Sequence, residues 1–186
     1  MFTEFEMERL QSLYENEVKY NLSDSGNHPL SMNDLLSDEE IKKILDMEIY
    51  YGYTTGDPNL LSAIASWYPD KINESNILVT NGSAEANFLA GWTLIEPGDE
   101  VVMVLPNYMQ VPGLAKNLGA SVKTIGLKES LGWHVDLDEL ASVVTEKTKL
   151  ISICHPSNPT GAVYGEESFT HSSTGCTEHR YRVSSH

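Results

Sequence analysis

The feature that most constrains the fold is a set of short apolar runs separated by amphipathic segments. Residues 101–105 and 150–154 are apolar almost throughout, and each is the length of a single strand. A strand that is buried on both faces reads as a continuous apolar run, and such strands alternate with helices in parallel sheets. The sequence therefore predicts an α/β fold with a largely parallel sheet.

Caps and apolar periodicity predict the other elements. Ser37 and Glu40 form a capping box, and Asp57 followed by Pro58 opens a second helix. Asn81-Gly82-Ser83 turns directly from a strand into a helix. The predicted strands cover residues 77–80, 101–105, 121–125 and 149–154, and later helices cover 111–118 and 136–144.

Composition divides the chain into three parts. Residues 1–33 are polar and weakly patterned, and we interpret them as an N-terminal arm before the main domain of residues 34–167. Eight of the 19 residues in 168–186 are Ser or Thr, and no apolar periodicity continues there. We predict that 168–186 is a disordered tail, foreign to the fold. An altered reading frame, an alternative exon or a cloning tail would each produce it.

The charge balance excludes several classes of partner. Lys and Arg number 12 against 27 Asp and Glu, a net charge of −15, which disfavours nucleic acid and anionic membrane surfaces. No apolar run approaches the roughly 18 residues of a membrane span. Two cysteines are too few for a disulfide scaffold, and the acidic start of the chain lacks a signal-peptide pattern. A cytoplasmic protein without a metal site is the expectation, since the six His are scattered.

The strand-turn-helix at residues 79–86 is a candidate anion site. Gly82 allows the backbone to approach a ligand, and the first helical N–H groups have no intrahelical partner. Ser83 adds a hydroxyl group, and the helix dipole favours a phosphate there. Neither a Walker loop nor a dinucleotide fingerprint is present. An ordinary N-cap on a turn between strand and helix is the alternative interpretation.

Three further loops lie where α/β sheets bind ligands or where helices begin. Tyr108 follows the strand at 101–105 and Asn158 follows the strand at 149–154, whereas residues 51–58 lead through Gly56 into a helix. Taken singly, Tyr108 is more typical of a partly buried core tyrosine. The Asn158 loop is then also typical of a rigid turn, and residues 51–58 are typical of a packed loop.

Taken together, the four loops resemble one family. Tyr51 with Gly56 and Leu61, then residues 81–86, Pro97-Gly98-Asp99, Pro106 with Tyr108, and finally Asn158-Pro159-Thr160-Gly161 follow the order and spacing of class I/II aminotransferases. These fold-type-I enzymes use pyridoxal 5′-phosphate (PLP) to transfer an amino group between an amino acid and a 2-oxo acid. The resemblance covers about residues 20–167 and implies a three-layer αβα domain.

The resemblance assigns roles to five residues of the main domain. Gly82, Ser83 and Ala84 are similar to the loop that holds the cofactor phosphate. Tyr108 resembles the residue that stacks on the pyridine ring. Asn158 resembles the donor to the phenolic oxygen of the ring, which favours its ionised form.

Two further roles implied by the resemblance lie nearer the N-terminus. Tyr51 is similar to the tyrosine that reaches the phosphate of the neighbouring subunit, which implies a homodimer, and Tyr53 is the second choice. Gly26 resembles the N-terminal glycine near the substrate carboxylate.

The residues that the family uses for catalysis are not found after Asn158 in this sequence. The family expects an Asp for the pyridinium nitrogen, then a Ser-x-x-Lys carrying the Schiff-base lysine, then two arginines. All nine lysines of this sequence precede Asn158, and none has Ser three residues before it, while Arg180 and Arg182 lie in the predicted tail.

The resemblance therefore implies a truncated aminotransferase with no catalytic residue of its own and negligible activity. Two alternatives stay open. One is a lyase, decarboxylase or synthase of the same superfamily. The other is a non-catalytic product that docks on full-length subunits.

Overall fold

A computed structural model describes residues 4–23, 26–68, 71–165 and 181–185. In chain order the elements are α1 (Glu6–Tyr14), α2 (Met32–Leu35), α3 (Asp38–Leu45), α4 (Pro58–Ala65), α5 (Gly82–Leu94), β1 (Glu100–Leu105), α6 (Gln110–Asn117), β2 (Ser121–Gly126), α7 (Leu137–Val143), β3 (Thr148–Cys154) and β4 (Tyr181–Ser185). The chain divides into two compact units. Leu22–Thr80 forms one, and Met1–Asn21 with Asn81–His186 forms the other, which we call the sheet unit.

The sheet unit is built on four strands in the order β2-β1-β3-β4. Every neighbouring pair is parallel, with Val102 of β1 opposite Lys123 of β2 and Ile151 of β3. The prediction of a parallel sheet is confirmed. Since the strands run in one direction, the loops that follow them emerge at the same edge.

Apolar side chains cover both faces of this sheet. One core joins Val102, Ile151 and Ile153 of the strands to Leu140 of α7. A second core joins Val101 and Leu150 to Val111 and Ala115 of α6, and to Ile95 at the end of α5. Alternate residues of a strand point to opposite faces. Helices therefore pack on each side of the sheet, as the predicted three-layer αβα domain requires.

Among its described residues, the unit Leu22–Thr80 contains three α-helices, a short 3₁₀ helix (Glu74–Asn76) and no strand. Its helices begin at side-chain caps. Ser31 and Ser37 each form a capping box, with Asp34 and with Glu40, and Asp57 accepts the backbone N–H of Asn59. These are the helix starts predicted at Ser37 and Asp57. Local hydrogen bonds thus mark where this unit becomes helical.

The strand predicted at residues 77–80 is wrong. These residues belong to no element, and Leu78 is 57% exposed. The backbone N–H of Val79 donates to the carbonyl of Thr55, 2.9 Å away, in a loop and not in a strand ladder. An apolar run becomes a strand only where a neighbouring strand pairs with it.

Helices α1 and α2 and strand β4 were not predicted. No residue of α1 is buried. A helix without a buried face lacks the apolar stripe by which a sequence indicates a helix. β4 lies in the range expected to be a disordered tail, and for Tyr181–Ser185 the structure has a strand paired with β3 instead. Residues 168–180 and 186 lie outside the described residues. That 168–186 is foreign to the fold stays a prediction.

Within the described ranges, no helix has both the length and the apolar character that a membrane crossing demands.

Candidate functional site

The candidate site lies at the carboxyl edge of the sheet. Tyr108 is in the loop that follows β1, and Asn158 is in the loop that follows β3, the neighbouring parallel strand. Tyr108 is partly buried, whereas Asn158 is exposed. Ligands of open α/β sheets bind outside the carboxyl ends of the strands. Two of the residues predicted for the site therefore belong to one edge of one sheet.

The start of helix α5 is tied to the Tyr108 loop by a glutamine. The Gln110 side chain donates through Nε2 to the carbonyl oxygen of Ala84, at 2.8 Å. Asn87, which is only 4% exposed, donates through Nδ2 to Gln110 Oε1 at 3.4 Å. Since Gln110 comes two residues after Tyr108, these bonds hold the Gly82–Ala84 turn next to the Tyr108 loop.

Sequence reasoning missed both Gln110 and Asn87. The one signal available was Asn87 itself, an amide in a helix that is otherwise rich in Ala, Leu and Gly. A buried polar side chain needs a hydrogen-bond partner. The sequence does not indicate where that partner lies, because Gln110 is 23 residues further on.

Helix α5 begins without a side-chain cap. Its N-cap residue, Asn81, makes no side-chain hydrogen bond to the helix, unlike Ser31, Ser37 and Asp57 at their own helices. The ordinary N-cap, which was the alternative interpretation of this turn, is therefore not what the structure has. The Asn81 backbone N–H donates to Glu85 Oε2 at 2.5 Å.

The geometry of this turn fits a phosphate. Gly82 has φ +82° and open space where a Cβ would lie, and residues 82–84 are exposed. A helix N-terminus presents N–H groups and positive potential, which together favour an anion. The residues present can thus receive the phosphate of the cofactor.

Tyr108 is held from three sides. Its hydroxyl group donates to Glu8 Oε1 at 2.5 Å, and its ring lies 5.2 Å from that of Phe5, centroid to centroid, with the planes 69° apart. Its backbone N–H donates to Asn107 Oδ1 at 2.7 Å, and Asn107 Nδ2 donates to the carbonyl of Val104 at 3.1 Å. The tyrosine therefore presents an oriented aromatic ring.

Burial, together with the Glu8 carboxylate, raises the pKa of Tyr108 from 10.0 to about 12. The hydroxyl group stays protonated at neutral pH and remains a donor to Glu8. A neutral phenol with a fixed ring suits stacking on a flat ligand.

The Asn158 turn is closed by its own backbone. Ser157 N–H donates to Ala162 O at 2.8 Å, and Gly161 N–H donates to Ser157 O at 2.7 Å. The Asn158 N–H donates to Cys154 Sγ at 3.4 Å, and Tyr164 N–H donates to His155 Nδ1 at 3.3 Å. These bonds fix the backbone on both sides of Asn158. Asn158 itself is exposed at the edge of the sheet.

Tyr51, Tyr53 and Gly26 belong to the other unit, Leu22–Thr80. All three are exposed, with Tyr51 101% and Tyr53 61% accessible. Their predicted roles toward a phosphate and a substrate carboxylate stay predictions. In the part of the chain that the structure describes, no three His, Cys, Asp or Glu side chains are grouped to hold a metal ion.

The fold and this edge define an α/β domain with an exposed, uncapped helix start and an aromatic ring at the ends of its parallel strands. The class I and II aminotransferase family matches residues 20–183, and the chain belongs to that family. The match extends into the range predicted as a tail.

Known proteins agree with this assignment. A probable aspartate aminotransferase of Methanocaldococcus jannaschii is 37% identical over 134 residues, which is 69% of this chain and 35% of that protein. A histidinol-phosphate aminotransferase of Bacillus licheniformis is 31% identical and covers 85% of this chain. A PLP-dependent aminotransferase from Streptococcus suis superposes with a TM-score of 0.88 at 30% identity, over 98% of this chain and 50% of that one. The chain thus spans between a third and a half of these proteins.

Proposed function

We propose that this chain carries the phosphate-binding and ring-binding elements of a PLP-dependent aminotransferase and that it binds the cofactor without a covalent link. The observation that carries the proposal is the pair of Gln110 hydrogen bonds. They hold the uncapped start of α5 beside the Tyr108 loop. Membership of the family supports the choice of cofactor.

Each part of the cofactor has a candidate partner. The N–H groups and the Ser83 hydroxyl at the start of α5 would hold the phosphate, and Tyr108 would stack on the ring. Asn158 would donate to the phenolic oxygen of the ring and so favour its ionised form. Bound PLP supplies an electron sink for bonds at the α-carbon of an amino acid.

Amino-group transfer needs a lysine at the position that the family uses for the cofactor, and no lysine of this sequence occupies that position. No lysine follows Asn158, although the family places its cofactor lysine after that motif. A positioned general base typically contributes about 10²–10⁴ in rate. We therefore propose that the 186-residue chain by itself binds PLP but has negligible transfer activity toward an amino acid and a 2-oxo acid.

A homodimer and a cytoplasmic location are part of the same proposal. Tyr51, which resembles the residue reaching a neighbouring subunit, is fully exposed, and Ile49 close by is 104% exposed. Large apolar side chains exposed together mark a surface that a partner covers. Sedimentation velocity of the full chain tests the dimer, with Tyr51→Ser as the variant expected to weaken it. A monomer at all concentrations would contradict it.

Cofactor binding is tested by equilibrium dialysis of the full chain against PLP. The unmodified chain should bind PLP more tightly than pyridoxal, which lacks the phosphate. Gly82→Ala forces a side chain onto φ +82° and should weaken PLP binding at least tenfold.

Gly113→Ala, in α6, is the matched control. No atom lies within 4 Å of the added Cβ there and its φ is ordinary, so its PLP affinity should be unchanged. Equal affinity for PLP and pyridoxal would contradict the phosphate site. Stoichiometric labelling of one lysine after borohydride treatment, together with amino-group transfer, would overturn the absence of activity.

A synthase of the same superfamily is the second candidate. Capreomycidine synthase of Streptomyces vinaceus is 33% identical over 156 residues, covering 78% of this chain and 38% of that protein. A chain of this family can therefore belong to an aminotransferase or to a synthase. Release of a 2-oxo acid by a complete protein containing this sequence favours the aminotransferase, and its absence with turnover of the amino acid favours the synthase.

A further inference from the structure

Helix α1 is joined to the candidate site by contacts that cross 100 residues of sequence. Glu8 and Phe5 both contact Tyr108, one at the hydroxyl group and one at the ring. The family match begins only at residue 20, so it assigns nothing to this helix.

Resting on the proposed function, we infer that Glu8 is a positioning residue, whose carboxylate holds the hydroxyl end of Tyr108 and so sets where its ring lies for stacking on the cofactor. A tyrosine ring has two side-chain torsions. The backbone of Tyr108 is fixed by Asn107, and the hydroxyl oxygen at the far end is fixed by Glu8. With both ends held, the long axis of the ring keeps one direction, and the contact that bears on the plane of the ring is the one with Phe5.

The contact with Phe5 is compatible with this role. Its ring is inclined at 69° to that of Tyr108, so it lies against at most one face or edge. Phe5 by itself therefore does not cover both faces of Tyr108. Edge-to-face pairs of this kind contribute modestly beyond burial, and they add a directional restraint.

The hydrogen bond between Tyr108 and Glu8 joins a protonated hydroxyl donor to a carboxylate acceptor. The Tyr108 hydroxyl group keeps its proton because its pKa lies at about 12, and a carboxylate is an acceptor. A donor bonded to a charged acceptor forms a shorter and stronger bond than a neutral pair does. The Tyr108 hydroxyl group therefore remains a donor to Glu8 at neutral pH.

α1 itself is loosely packed apart from this contact. None of its residues is buried. Residues 4–7 line an apolar groove of about 750 Å³ together with Phe88 and Trp92 of α5 and with residues of α6. An open groove places few atoms against the helix, so removal of Glu8 should release Tyr108 without disturbing the sheet.

The first measurement needs no cofactor. Nuclear magnetic resonance of the full chain with ring-labelled tyrosine reports the Tyr108 signal, which Tyr108→Phe identifies by its loss. Glu8→Ala should shift this signal, because the hydroxyl end of the ring is no longer held. Glu8→Gln should restore the unmodified pattern, because a carboxamide oxygen also accepts from the hydroxyl group. An unchanged signal in Glu8→Ala would overturn the inference.

The second measurement is PLP affinity by equilibrium dialysis, with circular dichroism in the absorption band of the bound cofactor. Glu8→Ala should weaken binding about three- to tenfold and reduce the induced dichroism, and Glu8→Gln should stay within about twofold. In a Tyr108→Phe background, Glu8→Ala should have no further effect, since the shared bond is already absent. Glu15→Ala, at the C-terminal cap of α1 and about 10 Å further along its axis, is the control for loss of charge.

The two proposals fail in different ways. No PLP binding by the unmodified chain overturns the proposed function, and with it the purpose assigned to Glu8. Equal PLP binding by the unmodified chain and Glu8→Ala overturns the inference about Glu8 alone.

Discussion

The sheet unit and the unit Leu22–Thr80 have comparable apolar sequence but very different burial. In β1, residues 101–104 are at most 1% exposed, and cores cover both faces of the sheet. In the other unit, Leu61 is the one buried residue among those described, and Ile49 and Tyr51 are fully exposed.

The two units are therefore stabilised in different ways. Burial of apolar area contributes about 25 cal/mol per Å², so the sheet unit has a large favourable term of its own. The α-helices of the other unit have N-terminal side-chain caps, and each cap typically contributes about 1 kcal/mol to stability. The comparison indicates that the sheet unit depends on its core, whereas Leu22–Thr80 depends on local hydrogen bonds and a few contacts around Gly56.

The largest effect should come from the core of the sheet. Leu150 is 1% exposed and packs against α6 in the second core of the sheet unit. Leu150→Ala should therefore lower the free energy of unfolding by about 2–5 kcal/mol. Leu45→Ala in α3, where the side chain is 78% exposed, should change it by less than about 0.5 kcal/mol. Urea denaturation followed by far-ultraviolet circular dichroism measures both. Equal losses of unfolding free energy in the two variants would contradict the difference between the two units.

A glycine tests the packing that Leu22–Thr80 does possess. A Cβ added at Gly56 would lie 2.5 Å from Val79 Cγ2, and φ there is +127°, so Gly56→Ala should cost about 1–3 kcal/mol. Gly52→Ala meets no atom within 4 Å and is the matched control. Hydrogen exchange of the Val79 amide, which is bonded to Thr55, should accelerate in Gly56→Ala only. Unchanged protection would mean that this contact does not stabilise the unit.

A smaller loss is expected at the edge of the sheet unit. Gln110→Ala removes the bond to Ala84 and leaves the buried Asn87 amide without that acceptor, which should cost about 1 kcal/mol. PLP affinity should fall severalfold, because the start of α5 is no longer tied to the Tyr108 loop. Thermal unfolding and dialysis measure the two effects. Lys116→Ala, exposed on the same helix, should show neither, and equal behaviour of the two variants would contradict the role of Gln110.

The smallest effect concerns pH. The pKa of Tyr108 is raised from 10.0 to about 12 by burial and by Glu8, so folding favours the neutral hydroxyl group. This contribution to stability is fully present below pH 10 and is lost as the pH rises through 12. The absorbance titration of the unmodified chain minus that of Tyr108→Phe should show a phenolate appearing near pH 12. A midpoint near 10 would show that the contact is absent in solution.

Much of the fold could be predicted because its causes are local. A buried parallel strand requires apolar side chains on both faces, and β1 and β3 were recognised on that ground. The starts of α3 and α4 were recognised from caps that lie within three residues. The strand predicted at 77–80 is wrong because pairing depends on a neighbour that its own residues do not describe.

The sequence by itself determined the α/β pattern, the order of the family motifs, and the identity of Gly82, Tyr108 and Asn158 as candidates for one site. Only the tertiary structure decided how these candidates are held. Gln110 reaches Ala84 over 26 residues, and Tyr108 reaches Glu8 over 100. Contacts of that separation leave no periodic signal in the chain, because they arise from the path of the backbone through the sheet and not from neighbouring side chains.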